Sequence, residues 1–189
     1  MVFILKEKNH FKILLGILIL FSFNYVDTTT FVIPTLPLYP TIQSGIDAAV
    51  DGDTVVVSSG TYNEKIVINK QINVVAASST KPIINGGGSG NVVNITASYV
   101  NFSGFEVRNG NMGIYIDHAN YVNITNCLIT SITGISAASG SGAAGGHAFG
   151  IYLNNSNNSI VERSIISSIT GGNGGSNTAQ YGYGGERGQ

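Results

Sequence analysis

From Gly52 onward, apolar and polar residues alternate over short runs of four or five residues. Small and polar turn residues separate these runs, and no two-residue hairpin signal joins one run to the next. The alternation predicts strands at 54–57, 65–68, 72–76, 82–85 and 91–95. Short strands at close spacing, without hairpin turns, are typical of a coil of parallel strands.

The apolar positions also repeat after 22 residues. The recurring pairs are Val100 and Val122, Phe102 and Ile124, and Phe105 and Cys127. At about 3.3 Å per residue, such a repeat accommodates a closed circuit of three short strands with their turns. Stacked circuits bond each backbone amide to the turn above or below and place equivalent residues over each other. These pairs are therefore predicted to form an inward column, and Cys127 is predicted as a packed small apolar residue rather than a nucleophile.

A second repeat has a longer offset. The segment 113–116 (GIYI) recurs at 150–153 (GIYL), and 131–134 (SITG) recurs at 168–171, both 37 residues later. The additional length corresponds to a loop rich in Gly, Ala and Ser at 135–149, and a second Gly-rich loop follows at 171–189. Glu162 or Arg163 falls where an inward residue is expected, so the sequence leaves the register of this copy open by one residue.

The first residues are predicted to lie outside the coil. Lys6, Lys8 and Lys12 precede an apolar run at 13–23. A basic head before a short apolar run is typical of a secretory signal, and eleven residues are too few to cross a bilayer of about 30 Å. Residues 1–26 are predicted as a signal peptide or, since no small-residue cleavage site follows, an N-terminal anchor. We expect a secreted, periplasmic or cell-surface protein that meets a membrane only through this segment.

Between this segment and the strands, the sequence predicts a linker and a helix. Residues 27–40 contain three prolines, which indicate an extended linker. Thr41 is a suitable N-cap for a helix at 42–50 that would cover the first turn of the coil. The apolar face of this helix is predicted to consist of Ile42, Ile46 and Val50.

Composition and charge exclude several functions. The 189 residues include nine Lys and Arg and ten Asp and Glu, a formal net charge of −1. This balance argues against nucleic-acid binding through phosphate neutralisation. The Gly-rich loops lack the Gly-Lys-Ser/Thr of a phosphate-binding loop, so nucleotide binding is not expected. A single cysteine excludes an internal disulfide and any multi-cysteine metal site.

Two stretches resemble a known superfamily. The first lies within 42–64 and reads IQ, then GDTV, then GTYNE; the second, at 104–116, reads GFEVRNG followed by GIYI. They are similar to the opening and the repeats of pectin-lyase-like proteins, and the resemblance extends over residues 41–171. It implies an all-β fold, a right-handed parallel β-helix at 41–189 with a short N-terminal capping helix. Because the chain ends about where another turn should begin, we interpret it as the N-terminal portion of a longer protein.

The resemblance implies a protein that binds or acts on polysaccharide. Its superfamily includes polysaccharide lyases, pectin esterases, surface adhesins and a periplasmic copper-accessory protein. Lyases of uronate polymers need a cation site, for which the resemblance implies Ca²⁺, and a basic residue that removes a proton. Glu106 and Arg108 are expected to point outward without forming a cluster, and no catalytic residue is predicted before the end of the chain. A lyase or other enzyme would carry its site beyond residue 189.

Two alternatives remain open. The chain could be a non-catalytic cell-surface adhesin or structural coil, or a periplasmic copper-accessory protein. The copper-accessory alternative would use His118 and His147 with Met112 as a thioether ligand. Both histidines are expected in a turn or loop without a fixed partner, so no metal site is predicted.

Outward tyrosines are the candidate binding residues. Tyr115 and Tyr152 alternate with inward aliphatic residues and are predicted to stack on successive turns, as are Tyr99 and Tyr121. Such aromatic pairs could form a platform for sugar rings, or they could only shield the stacked strands.

Overall fold

The computed structural model describes residues 28–34, 38–139, 141 and 143–175. The predicted signal peptide or anchor at 1–26 and most of the second Gly-rich loop lie outside these residues. The chain forms one short helix, α1 (Ile42–Ala48), and sixteen strands within the described ranges. The strands are β1 (Thr30–Ile33), β2 (Thr54–Val57), β3 (Thr61–Tyr62), β4 (Ile66–Ile68), β5 (Asn73–Ala76), β6 (Ile83–Asn85), β7 (Asn91–Ile95), β8 (Asn101–Ser103), β9 (Glu106–Gly110), β10 (Met112–Asp117), β11 (Asn123–Thr125), β12 (Leu128–Thr133), β13 (Phe149–Asn154), β14 (Ile160–Glu162), β15 (Ile165–Ile166) and β16 (Ile169–Thr170).

The strands form three sheets in which neighbouring strands are parallel. Sheet I has the order β1-β2-β5-β8-β11-β14, sheet II the order β13-β10-β7-β4, and sheet III the order β15-β12-β9-β6-β3, with β16 also pairing with β12. From β2 onward, the chain visits sheet I, then sheet III, then sheet II, and returns to sheet I. The predicted parallel β-helix is therefore confirmed.

Both sequence repeats correspond to strand registers. Phe102 in β8 faces Ile124 in β11, and Ile114 in β10 faces Ile151 in β13. In the next turn Val161 faces Ile124, so the register that the sequence left open does not slip. Glu162 consequently takes the outward position beside Thr125 rather than an inward one.

The predicted inward column forms the core. Phe102 and Phe105 are fully buried and stack with their ring centroids 4.5 Å apart. Cys127 is buried beneath them, its Sγ donates to the Thr125 carbonyl at 3.3 Å, and burial raises the pKa of its thiol. Each fully buried side chain of this size stabilises the fold by about 1.5–3 kcal/mol. Cys127 is thus a packing residue, as predicted.

Helix α1 covers the beginning of the coil. Thr41 is its N-cap, with the Thr41 hydroxyl accepting from the Ser44 amide at 3.1 Å. The Glu64 carboxylate accepts from the amides of Ile42 and Gln43, and the Lys70 ammonium donates to carbonyls at the last turn. The negative charge thus lies at the N-terminus of the helix and the positive charge at its C-terminus, where the helix dipole stabilises each of them.

Two details of the N-terminal prediction are corrected. The helix ends at Ala48, so Val50 lies beyond it and is 63% exposed, while Ala49 is buried instead. The predicted linker at 27–40 contains β1, which pairs along its whole length with β2. The buried carboxylate of Asp53 links the two parts of this turn by accepting from the amides of Thr29 and Val50.

The last described turn of the coil exposes its apolar side chains, in contrast to the first turn, which the helix covers. Leu153, Val161 and Ile166 are 42%, 44% and 48% exposed. The residues that they face on the preceding turn, Ile116, Ile124 and Ile129, are all fully buried. Within the described part of the chain, nothing covers this apolar row.

The two Gly-rich loops pack against each other. The Ala137 amide donates to the Asn173 carbonyl at 2.8 Å, and the Gly172 amide donates to the Gly146 carbonyl at 2.9 Å. An added Cβ at Gly145 or Gly172 would overlap backbone atoms of the opposite loop. Glycine is therefore needed where the two backbones approach each other most closely.

Candidate functional site

The outer face of sheet I carries a shallow groove of about 740 Å³. We call this surface the sheet I groove. Strands β5, β8, β11 and β14 supply its floor, and the corner residues before β8, β11 and β14 supply one wall. The residues that matter for its chemistry are Asn73, Tyr99, Asn101, Tyr121, Asn123 and Thr125.

A ladder of amides forms the floor of this groove. Asn73, Asn101 and Asn123 face one another in register on successive turns. Neighbouring parallel strands lie about 4.8 Å apart, so the three amides follow one another at that interval. The Asn73 amide donates to the Thr54 hydroxyl at 3.3 Å, whereas the side chains of Asn101 and Asn123 have no hydrogen-bond partner among the described residues.

A tyrosine pair forms the wall. The ring centroids of Tyr99 and Tyr121 are 4.9 Å apart and the ring planes differ by 7°. Rings this close and this parallel overlap face to face, so each tyrosine uses one face on its partner. The side chains are 56% and 46% exposed, and neither hydroxyl has a partner in the described part of the chain. The hydroxyl groups of both rings are therefore available at the wall of the groove.

Both tyrosines occupy an unfavourable backbone conformation. Tyr99 and Tyr121 have φ values of 59° and 57°, in the left-handed region that costs most residues about 1 kcal/mol. Asn158 takes the equivalent position on the next turn with φ 55°, and asparagine tolerates this conformation better. The rings are held at this corner despite a backbone that suits asparagine.

The groove has little net charge. Its charged lining residues are Glu162 and Arg163, whose side chains form an ion pair at 3.0 Å. The remaining polar groups are neutral amides and hydroxyls. Among the described residues, the groove therefore has no acidic or basic side chain outside this ion pair that could exchange a proton with a ligand.

The second tyrosine pair lies on sheet II. Tyr115 and Tyr152 face each other in register, with ring centroids 5.7 Å apart and planes 10° apart. The Tyr115 hydroxyl donates to Asp117 Oδ1 at 3.3 Å and accepts from Asn154 Nδ2 at 3.2 Å. Asn154 Nδ2 also lies 2.8 Å from Asp117 Oδ1. We call Tyr115, Asp117 and Asn154 the sheet II network. Tyr152 joins it only through ring stacking, since its hydroxyl has no hydrogen-bond partner among the described residues.

Two further side chains extend this network. His118 Nδ1 donates to Asp117 Oδ1 at 2.7 Å, and Asn155 Nδ2 lies 3.1 Å from His118 Nε2. In the same column, the buried Oδ1 of Asn94 lies in the turn before Tyr115 and has no hydrogen-bond partner among the described residues.

The network changes two pKa values. Desolvation raises the pKa of Tyr115 above that of a free phenol, and the nearby Asp117 carboxylate raises it further. The Asn154 hydrogen bond lowers the pKa of Asp117, and the contacts with His118 and Tyr115 act in the same direction against desolvation. These groups mainly bind one another.

The structure separates the four tyrosines that the sequence proposed together. Tyr99 and Tyr121 lie at the corners that precede β8 and β11 of sheet I, while Tyr115 and Tyr152 lie within strands of sheet II. Sequence reasoning missed the amide ladder as a candidate site. The recurrence of Asn101 at Asn123 was a visible signal of it.

The two candidate metal-ligating histidines have contacts of their own. His118 is bonded to Asp117, and the His147 ring packs near Phe149 with centroids 5.9 Å apart. Among the residues that the structure describes, no group of three or more His, Cys, Asp or Glu side chains could hold a metal ion. Glu106 and Arg108 form an ion pair at 3.1 Å, as outward residues of β9.

Comparisons with known proteins give two similarities. The chain is 33% identical over 102 residues to a cell surface glycoprotein of Methanothermus fervidus, a match that covers 52% of this chain and 16% of that protein. Its fold is similar to the crystal structure of an alginate lyase from Paenibacillus sp. str. FPU-7, with a TM-score of 0.51 and 23% identity, over 65% of this chain and 40% of that one. No protein-family model matches the chain. The chain thus spans less than half the length of either protein.

Proposed function

We propose that this chain is a cell-surface or extracellular β-helix protein that binds polysaccharide in the sheet I groove. The observation that carries the proposal is the ladder of amides in register on successive turns. Among the described residues, the Asn101 and Asn123 amides and the two tyrosine hydroxyls beside them have no partner. A glycan presents hydroxyl groups that both donate and accept, and amide side chains can answer both roles.

The relatives support the coarse part of this proposal. A cell surface glycoprotein shares the sequence similarity, which favours a surface or extracellular location. The fold neighbour is an alginate lyase, which agrees with a polysaccharide as ligand class. Membrane contact through residues 1–26 stays an expectation from the sequence, and Ca²⁺ stays one that only the family resemblance implies.

Binding without turnover is the form of the proposal that the site favours. Uronate cleavage requires a base positioned at the proton that it removes. The groove's two charged residues, Glu162 and Arg163, pair with each other instead. We therefore expect no cleavage of uronate polymers by residues 27–189, and a turnover assay that detected such cleavage would overturn this part.

The two tyrosine pairs provide a matched test. Purified protein is titrated with a panel of soluble polysaccharides by calorimetry, and Tyr121→Ala is compared with Tyr152→Ala. Tyr121→Ala should weaken binding about tenfold, equivalent to about 1.4 kcal/mol, whereas Tyr152→Ala should leave affinity unchanged. Equal losses in both variants, or none, would refute the sheet I groove as the binding site.

A smaller substitution tests the hydroxyl. Tyr121→Phe retains the ring pair and removes only the phenol oxygen, so thermal stability should not change. We expect binding to weaken several-fold, because a typical hydrogen bond contributes about 0.5–1.5 kcal/mol. If the affinity did not change, the Tyr121 hydroxyl would make no contribution to binding, and the wall of the groove would contact the ligand only through its apolar rings.

A further inference from the structure

We infer that the sheet I groove takes a neutral glycan, lying across the turns of the coil, rather than a polymer of uronic acids. The inference rests on the proposed function and specifies its ligand. It departs from the acidic polymer on which the fold neighbour acts.

The charges of the groove carry the first step. A uronate polymer presents a carboxylate on each sugar and requires cationic partners. Arg163 is the one cationic lining residue in the described chain, and its guanidinium pairs with Glu162 at 3.0 Å. A second acidic group at this position would be repelled by Glu162. The groove therefore offers no net positive charge to an acidic chain.

The other described cations are engaged elsewhere. Lys65 donates to the Ser89 hydroxyl, Lys70 to carbonyls of helix α1, and Lys81 to the backbone and side chain of Asn126. Arg108 pairs with Glu106 on sheet III. None of these four lines the groove.

The floor of the groove carries the second step. The amides of Asn101 and Asn123 retain both donor and acceptor capacity, because neither has a partner among the described residues. Neutral sugar hydroxyls match this mixed capacity, whereas a carboxylate can use only the donors. The amides on the floor of the groove thus favour uncharged ligands that are rich in hydroxyl groups.

The register sets the direction of the ligand. Asn73, Asn101 and Asn123 lie on three successive turns, so the ladder follows the stacking direction of the coil. The distance from the first to the third is two strand spacings, roughly 10 Å. A glycan lying across the turns meets all three amides, whereas one lying along a strand meets one.

A charge-matched pair of polymers tests the inference. The full chain is titrated with polygalacturonate and with its carboxyl-reduced form, which differ only in the acidic group, and with a panel of neutral glycans. We expect a neutral polymer to bind and the acidic polymer to bind at least tenfold more weakly. Among neutral oligosaccharides, affinity should rise with length and level off once the chain spans Asn73 to Asn123.

A designed charge gives a second readout. Asn123→Lys should raise affinity for polygalacturonate and make it salt-dependent. Val67→Lys, an exposed position on sheet II, is the control and should change neither polymer's affinity.

The outcomes separate the two claims. The first outcome is that the acidic polymer binds as tightly as the neutral one and that Tyr121→Ala abolishes the binding of both. The inference of a neutral ligand then fails, while the sheet I groove is upheld as the binding site. If neutral binding is insensitive to Tyr121→Ala, the groove itself is wrong. Binding of no polymer in the panel would overturn both claims.

Discussion

The two tyrosine pairs look alike as aromatic contacts and differ in the hydrogen bonding of the polar groups around them. Both are parallel, outward and on adjacent turns, with centroids 4.9 and 5.7 Å apart. Tyr115 is hydrogen-bonded to Asp117 and Asn154, whereas the hydroxyls of Tyr99 and Tyr121 have no partner in the described chain. Ring stacking alone therefore does not identify a binding surface. The state of the surrounding polar groups is the observation on which our proposal of the sheet I groove rests.

The difference has a physical consequence. A polar group that already has a protein partner must lose that bond before it can bind a ligand, which offsets much of the gain. A polar group without a protein partner exchanges only water. The sheet II network is thus suited to holding β10 and β13 together, and the sheet I groove is suited to binding.

The largest expected effect concerns the core beneath the groove. Phe102→Asp buries a carboxylate without a partner and removes a stacked ring, which should cost more than the few kcal/mol that core truncation alone costs. We expect loss of the β-sheet signal in circular dichroism. Ser103→Asp, one residue further along and outward, is the control and should stay folded. A folded Phe102→Asp variant would show that the inward column is misassigned.

An intermediate effect separates the two surfaces directly. Asn154→Ala removes bonds to Asp117 and Tyr115, so the melting temperature should fall by a few degrees. Asn101→Ala removes an amide that has no partner in the described part of the chain, so it should leave the melting temperature nearly unchanged while weakening glycan binding. If Asn101→Ala lowered the melting temperature and Asn154→Ala did not, the sheet I amides would stabilise the fold and the sheet II network would not, which contradicts our assignment.

The smallest effect is a pH dependence confined to sheet II. Folding lowers the pKa of Asp117, chiefly through the Asn154 hydrogen bond, so the ionised carboxylate stabilises the folded state. This contribution is complete above the unfolded pKa, about 3.9, and is lost as the pH falls through the lower folded value. The difference in melting temperature between the protein and Asp117→Asn should therefore shrink below about pH 4. A difference that stays constant from pH 6 to strongly acidic conditions would contradict this assignment.

Local periodicity determined much of the fold. The alternation over 54–57 and 91–95 matches β2 and β7 residue for residue, and the repeats of 22 and 37 residues became the registers of β8 with β11 and β10 with β13. These features are readable because stacked turns demand the same inward residues at each level. The Thr41 cap was readable because its signal is local.

Other features depended on distant partners. The sequence predicts a linker where β1 lies, because prolines follow this strand and its partner β2 begins 24 residues after β1 begins. Asn73 escaped the repeat because it precedes Asn101 by 28 residues rather than 22.

By itself, the sequence determined that the chain coils, which side of each repeat is buried, and which tyrosines stack. Only the tertiary structure decided that Asn154 meets Asp117 and Tyr115, and that the side chains of Asn101 and Asn123 meet no partner within the described ranges. Burial follows from side-chain hydrophobicity, which each residue carries with it. Whether a polar group is satisfied depends on what another turn places beside it, and that is a property of the assembled coil.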